Sequence, residues 1–177
     1  MSNWLEFYEA AGLTPVINVS GTMTSLGASI ALPEVADAMA QILPRFVQMH
    51  ELQAKASGVI ARLTGGEGGF IAASASAGIT QMVAAAMTGT DAALIERLPS
   101  TDGMKNEVII QMGHVCQYGA PVDQAIRLAG ARSVIIGTST LSLDHHVSGA
   151  INERTAAAVY VASHHVVEYG QIPLKRF

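Results

Sequence analysis

Short apolar runs alternate with helical stretches over most of this chain, and that alternation limits the fold more than any other feature. Glu107-Val108-Ile109-Ile110-Gln111 is a compact strand-like run. Ser133-Val134-Ile135-Ile136 is a second, and Ala156–Ala162 a third. Between them, Val122–Leu128 reads as a helix closed by Gly130, and residues 146–153 as a short helix. Strands separated by helices make βαβ units, so the expected architecture is α/β with a mostly parallel sheet flanked by helices.

The first part of the chain reads differently. Residues 3–11 form a short helix with Trp4, Leu5 and Tyr8, ended by Gly12. Pro15-Val16-Ile17-Asn18-Val19 is strand-like, and Ser20-Gly21-Thr22 makes a turn. Pro33 opens an amphipathic helix in which Val35, Ala38, Met39 and Ile42 keep helical spacing, and Pro44 breaks it. A further helix spans about His50–Leu63 and stops at Thr64-Gly65-Gly66. Gly69–Ala72 reads as a short strand and residues 76–88 as an Ala-rich helix. The expected division is a helical arm, 1–50, followed by an incomplete α/β domain, 51–177.

Composition narrows the function classes. Half of the 177 residues are hydrophobic and 14% are charged. So little polar surface suggests that some apolar area lies against a partner subunit or another domain. The net charge of −4 and scattered Lys and Arg argue against a nucleic-acid partner. No apolar stretch nears the roughly 20 residues of a membrane span. The amino terminus lacks the charged and apolar regions of a secretory signal. Cys116 is the only cysteine, which fits a reducing compartment, so a cytoplasmic location is expected.

The stretch Ala72-Ala73-Ser74-Ala75-Ser76-Ala77-Gly78 carries the most chemical information. Tiny residues join a strand-like run to a helix start, whose free N–H groups and dipole suit a phosphate. Ser74 and Ser76 add hydroxyl donors. The plain alternative is an ordinary turn with serine as a helix cap. It is not a P-loop, because the Gly-Lys-Ser/Thr ending is missing, and no Gly-x-Gly-x-x-Gly turn marks a dinucleotide fold. His114 and the Ser163-His164-His165 triplet follow strands, at the carboxyl edge where open α/β sheets bind ligands. In an extended chain only one of two adjacent histidines faces the site, and His164 is preferred. Asp144-His145-His146 lacks further ligands, so no metal site is expected; Asp144 reads as a helix cap. Cys116 reads as a small filler.

An ordered set of segments resembles a known family. They are Pro15-Val16-Ile17-Asn18 with Ser20-Gly21-Thr22-Met23-Thr24, Ser74–Ile79, Asn106–Ile109, Gly113-His114 with Tyr118-Gly119-Ala120-Pro121, Ala150–Ala157, and Ser163-His164-His165. The family contains bacterial L-seryl-tRNA(Sec) selenium transferase and D-glucosaminate-6-phosphate ammonia-lyase, and has the aspartate-aminotransferase fold. The Gly113–Pro121 and Ser163–His165 blocks look more like the ammonia-lyase. The resemblance implies pyridoxal 5'-phosphate as cofactor. Ser74, Ala75 and Ser76 would hold its phosphate, with Ser163 nearby. His114 would stack on its ring, with His114 and His164 as catalytic candidates. Asn18, Ser20 and Thr22 would touch substrate, although Ser-Gly-Thr also makes turns without a ligand.

The implied activity is a lyase that removes ammonia from a phosphorylated amino-acid-like substrate, such as an amino-sugar acid phosphate. A seryl-tRNA selenium transferase is the alternative, and a non-catalytic remnant or subunit-interface fragment a further one. A homo-oligomer, dimer or larger, is implied. Lys55, Lys105 and Lys175 do not follow strands as the family's cofactor lysine does. That lysine is expected beyond residue 177, which makes the chain an amino-terminal fragment.

Overall fold

The computed structural model describes residues 4–177; Asn3, where the first expected helix begins, lies outside them. The chain divides into two compact units, one ending at Met49 and one spanning His50–Phe177.

In the first unit, α1 (Trp4–Ala11) and α2 (Pro33–Ile42) frame an irregular segment. Pro33 opens α2, where a missing N–H costs nothing. The strand expected at Pro15–Val19 does not form; that segment has no ladder partner and stays irregular. No described residue of this unit is buried, and Ile30 and Phe46 stand fully in solvent.

The second unit is the α/β body. It contains α3 (Met49–Thr64), α4 (Ala75–Thr88), α5 (Ala92–Arg97), β1 (Glu107–Gln111), α6 (Val122–Leu128), β2 (Arg132–Ile136), α7 (Asp144–Ala150) and β3 (Thr155–Val159). The three strands form a parallel sheet in the order β2-β1-β3. All five residues of central β1 are buried. Strands covered on both faces read as continuous apolar runs rather than alternating ones, as Val108-Ile109-Ile110 does. Val108 and Ile110 share one face with α4 and α6, in a core with Val83, Met87, Val122 and Ile126. Thr80 ties α4 to α6 by donating to the Ala125 carbonyl at 2.8 Å.

Two segments depart from expectation. α5 is an extra helix, capped by Asp91, whose carboxylate accepts from the Ala93 and Leu94 N–H groups. Its six residues are too few for helical spacing to show in sequence. Gly69–Ala72 is not a strand. The Gln53 side chain pairs with Ile71 instead, donating to its carbonyl at 2.8 Å and accepting from its N–H at 3.2 Å. One side-chain amide thus takes the place of a neighbouring strand.

At the amino ends of the strands, the Glu107 carboxylate is almost fully enclosed. It meets Arg132 at 2.9 Å and Arg154 at 2.6 Å, and accepts from Asn152 at 2.8 Å. The Asn152 hydrogen bond and the two guanidinium groups hold its carboxyl below the ordinary carboxylate range, against the opposing effect of burial. The knot joins the starts of all three strands, which lie far apart in sequence.

Candidate active site

β1 leads through α6 to β2 on one side, and β2 leads through α7 to β3 on the other side of β1. The winding therefore reverses between β1 and β3. Ligands of such sheets settle outside the carboxyl ends of the strands at that reversal. Past β1 the chain enters a 3-10 turn, Met112–His114. Past β3 it runs through Tyr160 and Val161 to Ser163–His165.

The His114 side chain is 0% exposed. Its ring meets Tyr160 edge-on, at 4.4 Å between centroids and 81° between planes. Its Nδ1 accepts the Val161 N–H at 3.1 Å. An accepting Nδ1 carries no proton, so the proton sits on Nε2, which is buried with no hydrogen-bond partner in the structure. Desolvation holds the imidazole below its ordinary pKa, offset in part by the Glu168 carboxylate. In this conformation no face of the ring is exposed for the stacking role expected of it.

Ser163, His164 and His165 do not run extended. A turn closed by Val166 N–H on the Ser163 carbonyl, at 3.2 Å, folds them back. The two imidazoles lie 3.9 Å apart, both exposed, and Tyr118 lies 6.4 Å from His165. The expectation that only one could face the edge assumed an extended chain, and the turn removes that assumption.

Ser74, Ala75 and Ser76 stand at the start of α4. Ser74 is its cap, and its Oγ accepts the Ala77 N–H at 3.1 Å. Its carbonyl accepts from Gly78 at 2.9 Å, which leaves the Ala75 and Ser76 N–H groups outside the helical ladder. The capping alternative holds for Ser74 without excluding a phosphate at those donors. From Ile79 to Val83, α4 forms with Ala157–Ala162 an open groove of ≈ 360 Å³.

Asn18 and Thr22 line a separate groove within the first unit. Asn18 is occupied by its own turn, accepting from the Ser20 N–H at 2.9 Å and donating to the Gly21 carbonyl at 2.6 Å. Ser20 lies in that turn and is exposed.

Sequence reasoning missed Gln111. Fully buried at the end of β1, it donates to the Ile172 carbonyl at 3.0 Å and accepts the Ile172 N–H at 2.7 Å. Val167 N–H on the Gly113 carbonyl, at 2.9 Å, and Gln171 on the Thr138 carbonyl, at 3.2 Å, fasten the same tail. A glutamine ending an apolar strand is the only signal the sequence offered.

Asp144 does not cap α7. It is the first helical residue and pairs with Arg176 at 2.5 Å. His146 Nδ1 accepts the Leu143 N–H at 3.0 Å instead. Burial raises the Cys116 thiol pKa, so it stays protonated in the core. Among the described residues, no three His, Cys, Asp or Glu side chains gather as metal ligands, and no helix is long and apolar enough to cross a membrane.

No protein-family profile matches the chain. Over 170 residues, 96% of this chain, it is 45% identical to D-glucosaminate-6-phosphate ammonia lyase of Salmonella typhimurium (strain 14028s / SGSC 2262), covering 46% of that protein. It is 36% identical over 169 residues, 94% of this chain, to the 5'-C-glycyluridine monooxygenase-decarboxylase of Streptomyces sp, covering 42% of it. A solved structure of D-glucosaminate-6-phosphate ammonia-lyase superposes on all of this chain and 47% of its own, with a TM-score of 0.94 and 44% identity. The chain spans about half the length of the curated relatives it matches. In sequence and in fold, it is similar along nearly its whole length to about half of a D-glucosaminate-6-phosphate ammonia-lyase.

Proposed function

We propose that this chain forms the phosphate-binding part of a pyridoxal-phosphate lyase acting on a phosphorylated amino-acid-like substrate, such as D-glucosaminate 6-phosphate. The observation that carries the reading is the combined match to the ammonia-lyase, 45% identity with a TM-score of 0.94 to its structure. The α4 start fits the cofactor's phosphate. Two N–H groups are open, the side chains around them are small, and the helix dipole favours an anion. Bound pyridoxal phosphate supplies an electron sink for a substrate carbanion.

The chain's own residues have simpler tasks. Ala75 and Ser76 N–H groups receive the phosphate, with the Ser76 hydroxyl beside them. Ser163, His164 and His165, together at the carboxyl edge, offer polar contacts. Asn18, Ser20 and Thr22 are proposed substrate contacts. Lys55 lies on α3 and Lys105 before the amino end of β1, the edge opposite the site. Neither is assigned as the cofactor's covalent anchor, nor is Lys175.

The decarboxylase relative supports a second reading, in which the same half-domain serves a different reaction on a nucleoside amino acid. No feature of the described residues favours selenium transfer or a non-catalytic remnant over these two readings. The test uses the full-length protein carrying this chain, loaded with pyridoxal phosphate and offered D-glucosaminate 6-phosphate. Release of equimolar ammonia and a 2-keto acid phosphate is expected. Release of carbon dioxide from 5'-C-glycyluridine, with no ammonia from the sugar acid, would overturn the first reading in favour of the second. We further propose that the protein is a homo-oligomer.

A further inference from the structure

His114 stands in the turn that follows β1, against the exit of β3. The β1–β3 ladder runs as far as Ile110 opposite Val159. Val161 lies two residues on, so its N–H points the same way as that of Val159. β1 ends at Gln111 and turns away at Met112, so that N–H finds a side chain instead: Nδ1 of His114, at 3.1 Å. The imidazole stands where the next ladder acceptor would be.

We propose that His114 is a positioning residue which, by accepting the Val161 N–H at Nδ1, holds the exit of β3 so that Ser163, His164 and His165 stand together at the carboxyl edge. Three observations converge on it. The ring is fully enclosed and braced edge-on by Tyr160, so the acceptor is fixed in place. The far side of the same loop returns to the residue before His114, with Val167 N–H on the Gly113 carbonyl at 2.9 Å. The loop is thus fastened at both ends to two consecutive residues. Finally, the Ser163–Val166 turn between these fastenings brings the two imidazoles to 3.9 Å. An apolar ring could fill the same volume but would leave the half-buried Val161 N–H without its acceptor. The inference rests on the proposed lyase reading only for what the edge binds.

The test compares H114N, H114Q and H114F in the full-length protein. Asn places an acceptor near the Nδ1 position, Gln near Nε2, and Phe keeps the ring without an acceptor. Amide exchange is followed by mass spectrometry in the Tyr160–Val166 peptide, with a β1 peptide as control for the fold. H114F is expected to speed Val161 exchange about tenfold or more while β1 stays protected, and H114N to stay within about threefold of wild type. If H114F does not fold, H114N against H114Q makes the same comparison, with Gln expected to speed exchange. Equal exchange in wild type and H114F, or equal acceleration in H114N and H114Q, would overturn the proposal. Pyridoxal-phosphate affinity of the same proteins tests the lyase reading separately. Weaker binding in H114F than in H114N supports it. Accelerated exchange with unchanged affinity leaves the latch standing and removes the cofactor from that edge.

Discussion

At the residue scale, closely fitted positions decide more than chemical type. A Cβ on Gly113 would lie 2.6 Å from Gln171 Cδ and 2.8 Å from the Val167 carbonyl oxygen. Its backbone is not in the left-handed region, so space alone demands glycine. G113A is expected to destabilise the second unit by about 1–3 kcal/mol, the usual range for overpacking, seen as a lower urea midpoint. Removing the α4 cap in S74A is expected to cost about 1 kcal/mol, and to weaken pyridoxal-phosphate binding if the phosphate sits there. Both residues sat in segments that the sequence singled out. Their reasons differ, because close approach of two loops is invisible to local pattern whereas a cap is a local device.

At the element scale, side-chain amides replace missing ladder partners. Gln53 serves Ile71 and Gln111 serves Ile172. Q111L would strip both backbone groups of Ile172 of their partners, at about 1–3 kcal/mol for each group left buried and unpaired. The tail beyond Glu168 should then be cut by protease while the sheet stays intact. The Glu107 knot gives the strand starts a pH dependence. A carboxyl whose folded pKa lies below its unfolded value of 4.5 stabilises the fold fully above that value. The contribution fades as pH falls from there through the folded pKa. E107Q should therefore lose stability at neutral pH and show a flatter acid limb in thermal melts. His114, also depressed, adds a second acid-sensitive step, because its neutral form is the folded one and protonation grows unfavourable below 6.5.

At the scale of the whole molecule, the two units differ in kind. The second has a core centred on β1. The first has no buried residue among those described, and Trp4, Phe7, Ile30 and Phe46 are more than half exposed. Such a unit cannot stabilise itself by burial, which supplies about 25 cal/mol per Å² of apolar surface. Residues 1–49 made alone should lack a cooperative thermal transition by circular dichroism. The 177-residue chain should associate in sedimentation at micromolar concentration; a monodisperse monomer would count against that.

The sequence by itself determined the α/β class, β1, α6 and the approximate bounds of the long helices, because periodicity and capping are local and survive without neighbours. The ordered motifs also brought the ammonia-lyase family into view. Only the tertiary structure decided which partners those motifs meet. Asn152 and Arg154 proved to be partners of Glu107. His114 proved to be an enclosed acceptor rather than an open ring, and the two edge histidines proved to be neighbours in a turn. Each of these depends on which residues meet across roughly 45 or more positions of chain, or on whether a segment is extended or turned. Packing around β1 sets those outcomes, and no single stretch of sequence contains them.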